Sequence, residues 1–204
     1  MSAGGIGARA GLYGKLPARG DFVRAGLPRD FVEPWDSWWQ RGISASRALA
    51  GDDWTPAWLV APVWRFVLPP GLLGRGGVLG LWMPSVDRAG RHFPLTIAAV
   101  APFDWTEQPS QVGVFLEVVE EAGRDALAQD LEPERVLRRV EAALDGQETP
   151  REPGVPDLVP GRAAWWTEGG PRVAARLADG FRLPEGATFA ALLDDRWAAS
   201  AEDA

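Results

Sequence analysis

The period of the apolar positions changes several times along the chain, and each change predicts an element. Residues 11–16 read as a short strand, after which Pro17, Gly20 and Asp21 predict a turn reaching Arg24. Leu27-Pro28 opens a helical stretch. Pro34 marks the start of a second helical segment, because proline is tolerated in a first turn. From there Trp35, Trp38, Trp39 and Ile43 recur on one face, Asp36, Gln40, Arg41 and Arg47 fall mostly on the other, and the pattern fades near Gly51.

Strand periods follow. Residues 63–68 form an apolar, partly alternating run closed by Pro69-Pro70-Gly71, residues 77–83 form a second closed by Pro84, and residues 93–101 form a third. The polar segment 84–92 between the last two reads as a hairpin-type connection. Two helices come next. Phe115, Val118, Val119, Ala122 and Ala126 stripe the first. Val136, Leu137, Val140 and Leu144 stripe the second, which starts at Pro133-Glu134 and ends at Gly146. Pro150, Pro153, Pro156 and Pro160 make 147–160 an expected exposed loop. Residues 162–167 and 172–177 read as two strands joined at Gly169-Gly170, and 185–193 as a short last helix. The ends, about 1–9 and 198–204, are expected to be flexible. No repeat is present, and the segment after 160 is too short and too poor in large apolar residues to fold alone. The expectation is therefore one domain over 1–204, of α/β class: a three-layer α/β/α sandwich around a mixed central sheet.

Composition narrows the function classes. A chain of 204 residues with 46% hydrophobic and 24% charged positions has the makings of an ordered core. The absence of cysteine excludes disulfides, thiol catalysis and zinc–thiolate sites. Neither a signal peptide nor a run of about 20 apolar residues occurs, so membrane insertion is not expected. The net charge is −7, Lys15 is the single lysine, and the arginines are scattered, which argues against a nucleic-acid partner. The 11 tryptophans are read mainly as core, with one or two available as partner anchors.

Candidate chemistry is sparse. His92 is the single histidine, and with Ser85 and Asp87 in one short loop it has no room to form a relay; there is no G-x-S-x-G elbow. It reads instead as a strand-edge residue. Adjacent carboxylates at Asp52-Asp53, Glu120-Glu121 and Asp194-Asp195 point apart and read as solvated surface charge. Neither 11–15 nor 71–80 matches a phosphate-binding loop. No metal and no cofactor are expected. Two loops, 15–22 and 84–91, mix both signs of charge with proline and glycine. Internal ion pairing, with Asp21 or Asp87 holding Arg19, Arg88 or Arg91, and a binding surface are both open readings for them.

The same stretches carry a resemblance that spans nearly the whole chain. Gly14-Lys15-Leu16-Pro17, Gly20-Asp21-Phe22, Leu27-Pro28, Phe31 and Trp35-Asp36-x-Trp38 open it, and Pro62-Val63-Trp64-Arg65-Phe66 continues it. It is densest at Met83-Pro84-Ser85-Val86-Asp87-Arg88-x-Gly90-Arg91-x-Phe93-Pro94-Leu95 and closes at Trp165-Trp166-Thr167-Glu168-Gly169 and Leu183-Pro184. In these motifs the chain resembles the TagF family of type VI secretion-associated proteins. The resemblance implies an α/β/α sandwich and a cytoplasmic, post-translational repressor of the secretion system. The implied partner is Fha, a scaffold protein with a forkhead-associated domain; other type VI components are further partners to expect. Some relatives are fused to a PppA-type phosphatase domain. This chain ends too early to carry one, so no phosphatase activity is expected; with one histidine, no cysteine and no metal-ligand cluster, no other enzymatic activity is expected either. The family offers no catalytic residues to transfer. The candidates are therefore for partner binding: Lys15, Arg19, Asp21, Ser85, Asp87, Arg88 and Arg91, converging from the two loops into one polar patch. The alternatives are a structural or accessory subunit of the apparatus, and a hydrolase using Asp21 or Asp87.

Overall fold

The computed structural model describes residues 7–17, 19–129, 131–144 and 155–198. In chain order they form β1 (Arg9–Gly14), β2 (Val23–Ala25), α1 (Arg29–Ala50), α2 (Trp54–Leu59), β3 (Trp64–Leu68), β4 (Gly77–Met83) and β5 (Leu95–Ala101). Then come α3 (Pro109–Ala128), α4 (Pro133–Leu144), β6 (Ala163–Thr167), β7 (Arg176–Gly180) and α5 (Gly186–Ala190). The strands build one seven-stranded sheet in the order β2-β1-β5-β4-β3-β6-β7. Every pairing in it is antiparallel, which corrects the expected mixed sheet. The reason lies in the connections. Parallel neighbours need a crossover, usually through a helix. Here both helical crossovers, from β2 to β3 and from β5 to β6, join strands that are not neighbours in the sheet.

The central strands feed two apolar clusters. Trp64 and Phe66 of β3, Trp82 of β4 and Trp165 of β6 pack with Trp35, Trp38 and Trp39 of α1, Trp58 of α2 and Phe189 of α5. The alternate residues, Val67, Leu79, Leu81, Met83 and Trp166, pack with Phe115, Leu116 and Val119 of α3 and Val136 and Val140 of α4. Successive strand side chains point to opposite faces. Covering both faces therefore turns β4 into an unbroken buried run in place of an alternating one.

All eleven tryptophans are buried, the most accessible being Trp197 at 8%. They are core residues, and none is left to anchor a partner. Several indole N–H groups find internal acceptors: Trp35 donates to Thr96 Oγ1 (3.0 Å), Trp38 to the Pro184 carbonyl (2.7 Å) and Trp64 to the Leu192 carbonyl (2.9 Å).

Five local expectations change. Pro34 does not start a helix; it lies inside the single 22-residue α1. It removes the amide that would bond the Asp30 carbonyl. The turn at Gly74-Arg75 packs against that first turn, with the Arg75 amide donating to Asp30 Oδ2 (3.2 Å). The turn expected up to Arg24 instead yields β2, paired with β1 in the register Leu12↔Ala25. α2 was not anticipated, although it buries Trp54, Ala57 and Trp58 on one side. β7 starts at Arg176 and shares only Arg176 and Leu177 with the expected strand 172–177, because Gly169 (φ +87°) and the Gly170↔Val173 bridge close a local turn first. Val155 and Leu158 are half-buried against the second cluster, so this part of the expected loop is covered. The expected helix end at Gly146, the rest of that loop up to 154, and the expected flexible ends at 1–6 and 199–204 lie outside the described residues.

Gly42 in α1 faces the Phe189 ring so closely that a methyl group there would overlap it. Helix propensity alone favours Gly42→Ala by about 1 kcal/mol. Overpacking costs about 1–3 kcal/mol. The variant is expected to be less stable than the parent, read as a lower urea midpoint with an unchanged slope; a higher midpoint would mean that α5 yields to α1.

Candidate functional site

The loop after β1 and the loop between β4 and β5 are locked together by one ion pair. The Lys15 ammonium meets Asp87 Oδ2, and both residues are nearly inaccessible, at 4% and 3% exposure. A buried carboxylate needs its remaining acceptor sites filled. Asp87 Oδ1 accepts the backbone N–H groups of Ala89 (2.9 Å) and Arg91 (2.9 Å), and Oδ2 also accepts Arg91 Nε (2.7 Å). The Lys15 hydrogen bond, followed by those from Arg91 and Ala89, holds the Asp87 carboxyl well below the usual carboxylate range. Ser85 Oγ donates to the Lys15 carbonyl (2.8 Å), while the Ser85 carbonyl accepts Trp58 Nε1 (3.2 Å). The brace is thus fixed to the tryptophan core.

Two more bonds stitch the loops at the surface: the Arg88 amide donates to the Arg19 carbonyl (3.2 Å), and Arg91 Nη2 to the Gly20 carbonyl (2.5 Å). The seven candidates therefore do come together, but in two roles. Lys15, Ser85 and Asp87 are interior. Arg19, Asp21, Arg88 and Arg91 are exposed. Arg19 forms an exposed ion pair with Glu132, just before α4, a partner 113 residues away that no local pattern signalled.

Phe22 was missed as a site residue. It is 47% exposed, stacks on Tyr13 (5.7 Å between centroids), meets Phe93 edge-on (4.7 Å) and lies 5.1 Å from the Lys15 ammonium. Its signal was an aromatic side chain inside an otherwise polar turn motif. Beneath it Tyr13 donates to Asp36 Oδ1 (2.5 Å). Burial, reinforced by that carboxylate, pushes the Tyr13 hydroxyl above its ordinary value.

His92, expected at a strand edge, lies instead within the loop between β4 and β5, in an isolated bridge to Val86. Its ring meets Trp54 (5.4 Å) and Trp58 (6.3 Å) edge-on, and burial, then the Arg47 charge, pushes its pKa down. Two of the carboxylate pairs read as solvated charge need correcting. Asp194 is 1% exposed and is held by Arg196 (Nε to Oδ1, 3.0 Å) and Arg172 (3.2 Å); Asp53 shares both arginines. Glu120 is largely covered between Arg65 (2.6 Å) and Arg124 (2.7 Å). Asp194 and Glu120 are each held by one local arginine, Arg196 two residues on or Arg124 one helical turn on, and by one brought from farther along the chain, Arg172 or Arg65 of β3. Among the described residues no cluster of three His, Asp or Glu could hold a metal ion, and no helix is long and apolar enough to cross a membrane.

An α/β fold on an antiparallel sheet, presenting two charged loops locked by an interior ion pair, defines a scaffold that displays a polar surface. The TagF N-terminal domain, described as type VI secretion system-associated, matches residues 11–143, and the chain belongs to this family. Among solved structures it is similar to PA0076 from Pseudomonas aeruginosa PAO1, with 33% identity, 91% of this chain and 94% of that chain covered, and a TM-score of 0.62. No curated protein matches the chain.

The brace predicts an asymmetry. Asp87→Asn leaves a buried ammonium without countercharge, whereas Lys15→Met leaves a carboxylate that keeps three N–H donors. Asp87→Asn is expected to lower the urea midpoint at neutral pH more than Lys15→Met; the reverse order would contradict the brace. Because the folded-state pKa of Asp87 is depressed, its contribution is complete above the ordinary value of 3.8 and is lost as pH falls through that value toward the folded one. Acid unfolding of Asp87→Asn should accordingly be less steep below about pH 4 than that of the parent.

Proposed function

We propose that this chain restrains the type VI secretion system after translation, as a cytoplasmic, non-catalytic protein that binds a component of the apparatus. The proposed partner is an Fha-type scaffold with a forkhead-associated domain. The observation that carries the reading is the surface made by the braced loops: Arg19, Asp21, Phe22, Arg88 and Arg91 exposed around a half-covered aromatic ring. Arginine and aromatic side chains are the usual anchors of protein interfaces. A loop already fixed by interior bonds loses less freedom on docking than a mobile one. The two apolar clusters support a three-layer α/β/α arrangement in which such loops project from a stiff base.

The test is calorimetric titration of the chain against its host's Fha protein, with Phe22→Ala and Asp21→Ala in parallel. Both side chains are exposed and neither hydrogen-bonds to the Lys15–Asp87 pair, so both variants should fold, which circular dichroism checks before titration. The expected outcome is saturable binding that Phe22→Ala weakens about tenfold or more, as loss of an anchor does. Binding that neither variant changes would move the interface off these loops. Absence of binding to Fha at micromolar concentrations would sink that partner and return the accessory-subunit and hydrolase readings.

A further inference from the structure

On the other side of Arg91 a cleft of about 550 Å³ opens between the end of α1, the start of α2 and Gly90–His92. Its lining includes Arg47, Trp54, Thr55, Arg91 and His92. The Arg47 guanidinium stands 4.2 Å over the Trp54 ring and has no carboxylate partner among the described residues. Its place in the last turn of α1 suits a cation at the negative end of the helix. The stacking fixes the plane of the fork. Arg91 is fixed as well, through Nε to Asp87 and Nη2 to the Gly20 carbonyl, which leaves Nη1 unpartnered among the described residues. His92 is held edge-on by Trp54 and Trp58. In a chain of net charge −7, this cleft collects two oriented guanidinium groups and the single imidazole.

We propose that this cleft binds a phosphate monoester, whose oxygens are taken by Arg47, Arg91 and His92 while its carrier runs out past the exposed Thr55. Three nitrogen-bearing side chains suit a group with three terminal oxygens better than a carboxylate with two. The volume has room for the phosphate and part of its carrier. The site stands apart from the proposed docking function: Phe22 and Asp21 are not among its lining, and it can be occupied whether or not the loops bind a protein. Arg91 is the one residue common to both, so a filled cleft and a docked partner can influence each other.

His92 makes the test direct, because tag-free protein gives a single imidazole signal by NMR. The charges acting on that ring are Arg47 and Lys15, which lower its pKa, and Asp87, which raises it, while Arg91 lines the same cleft. Titration with inorganic phosphate at constant ionic strength should shift the His92 resonance saturably and raise its pKa, since a bound dianion favours the imidazolium. Phosphoserine should do the same. Tighter binding of phosphoserine assigns a carrier-borne monoester, and equal binding assigns free phosphate.

Arg47→Gln should weaken phosphate about tenfold or more, the loss expected for one charge-assisted hydrogen bond. Thr55→Glu alters an exposed position and places a carboxylate in the cleft; it should abolish the shift even if Arg47→Gln proves unstable. No saturable shift, an equal shift with acetate, or an undiminished shift in Thr55→Glu would each overturn the proposal.

Discussion

An ammonium and a carboxylate removed from water are tolerated when they face each other and every remaining polar site on them is filled. Lys15 and Asp87 meet that condition, and much of the surrounding architecture follows from it. The lysine must leave β1 next to the loop leading into β5, which requires β1 and β5 to be neighbours; they are, with Gly14 opposite Leu95. The aspartate must be held inside its loop by its own backbone, which the Ala89 and Arg91 amides achieve. The Trp58 indole then ties the loop to the core through the Ser85 carbonyl. Strand neighbours, loop amides and the tie to the core each help to keep the two charges facing each other, so loops and sheet are specified together.

A second constraint works from the other side. An antiparallel sheet covered on both faces has no polar face to spare, and the residues that fill it here are large. Trp35, Trp39, Trp58 and Trp82 touch in edge-on and stacked pairs with ring centroids 4.7 to 6.5 Å apart. Such packing leaves little volume to adjust, which is why glycine is needed where α1 meets Phe189. At the rims arginines collect carboxylates from distant parts of the chain, Arg65 with Glu120 and Arg172 and Arg196 with Asp53.

How much of this was legible follows from how local each signal is. β4 was readable to its ends, since glycine opens it and proline closes it, and the stripes of α3 and α4 stood out in the periodicity. β2 was not, because three residues that gain their partners from β1 carry no pattern of their own. Pro34 suggested a boundary that the buried tryptophan face of α1 overrides. At the site, both loops were marked by their mixture of charge with glycine and proline. Which members would turn inward was hidden, since Lys15 and Asp87 lie 72 positions apart and depend on strand order. Glu132 and Phe22 became part of the surface through tertiary contacts alone.

The family match ends at residue 143, but the packing does not. β6 gives β3 its second partner, Trp165 lies against Trp35 and Trp38, and the Leu192 carbonyl accepts the Trp64 indole. A fragment stopping at the boundary of the match would expose a hydrophobic strand edge beside uncovered indole rings, the kind of surface that seeds self-association. The part of the chain that sequence similarity singles out most readily is thus smaller than the part that has to be made for it to stay in solution.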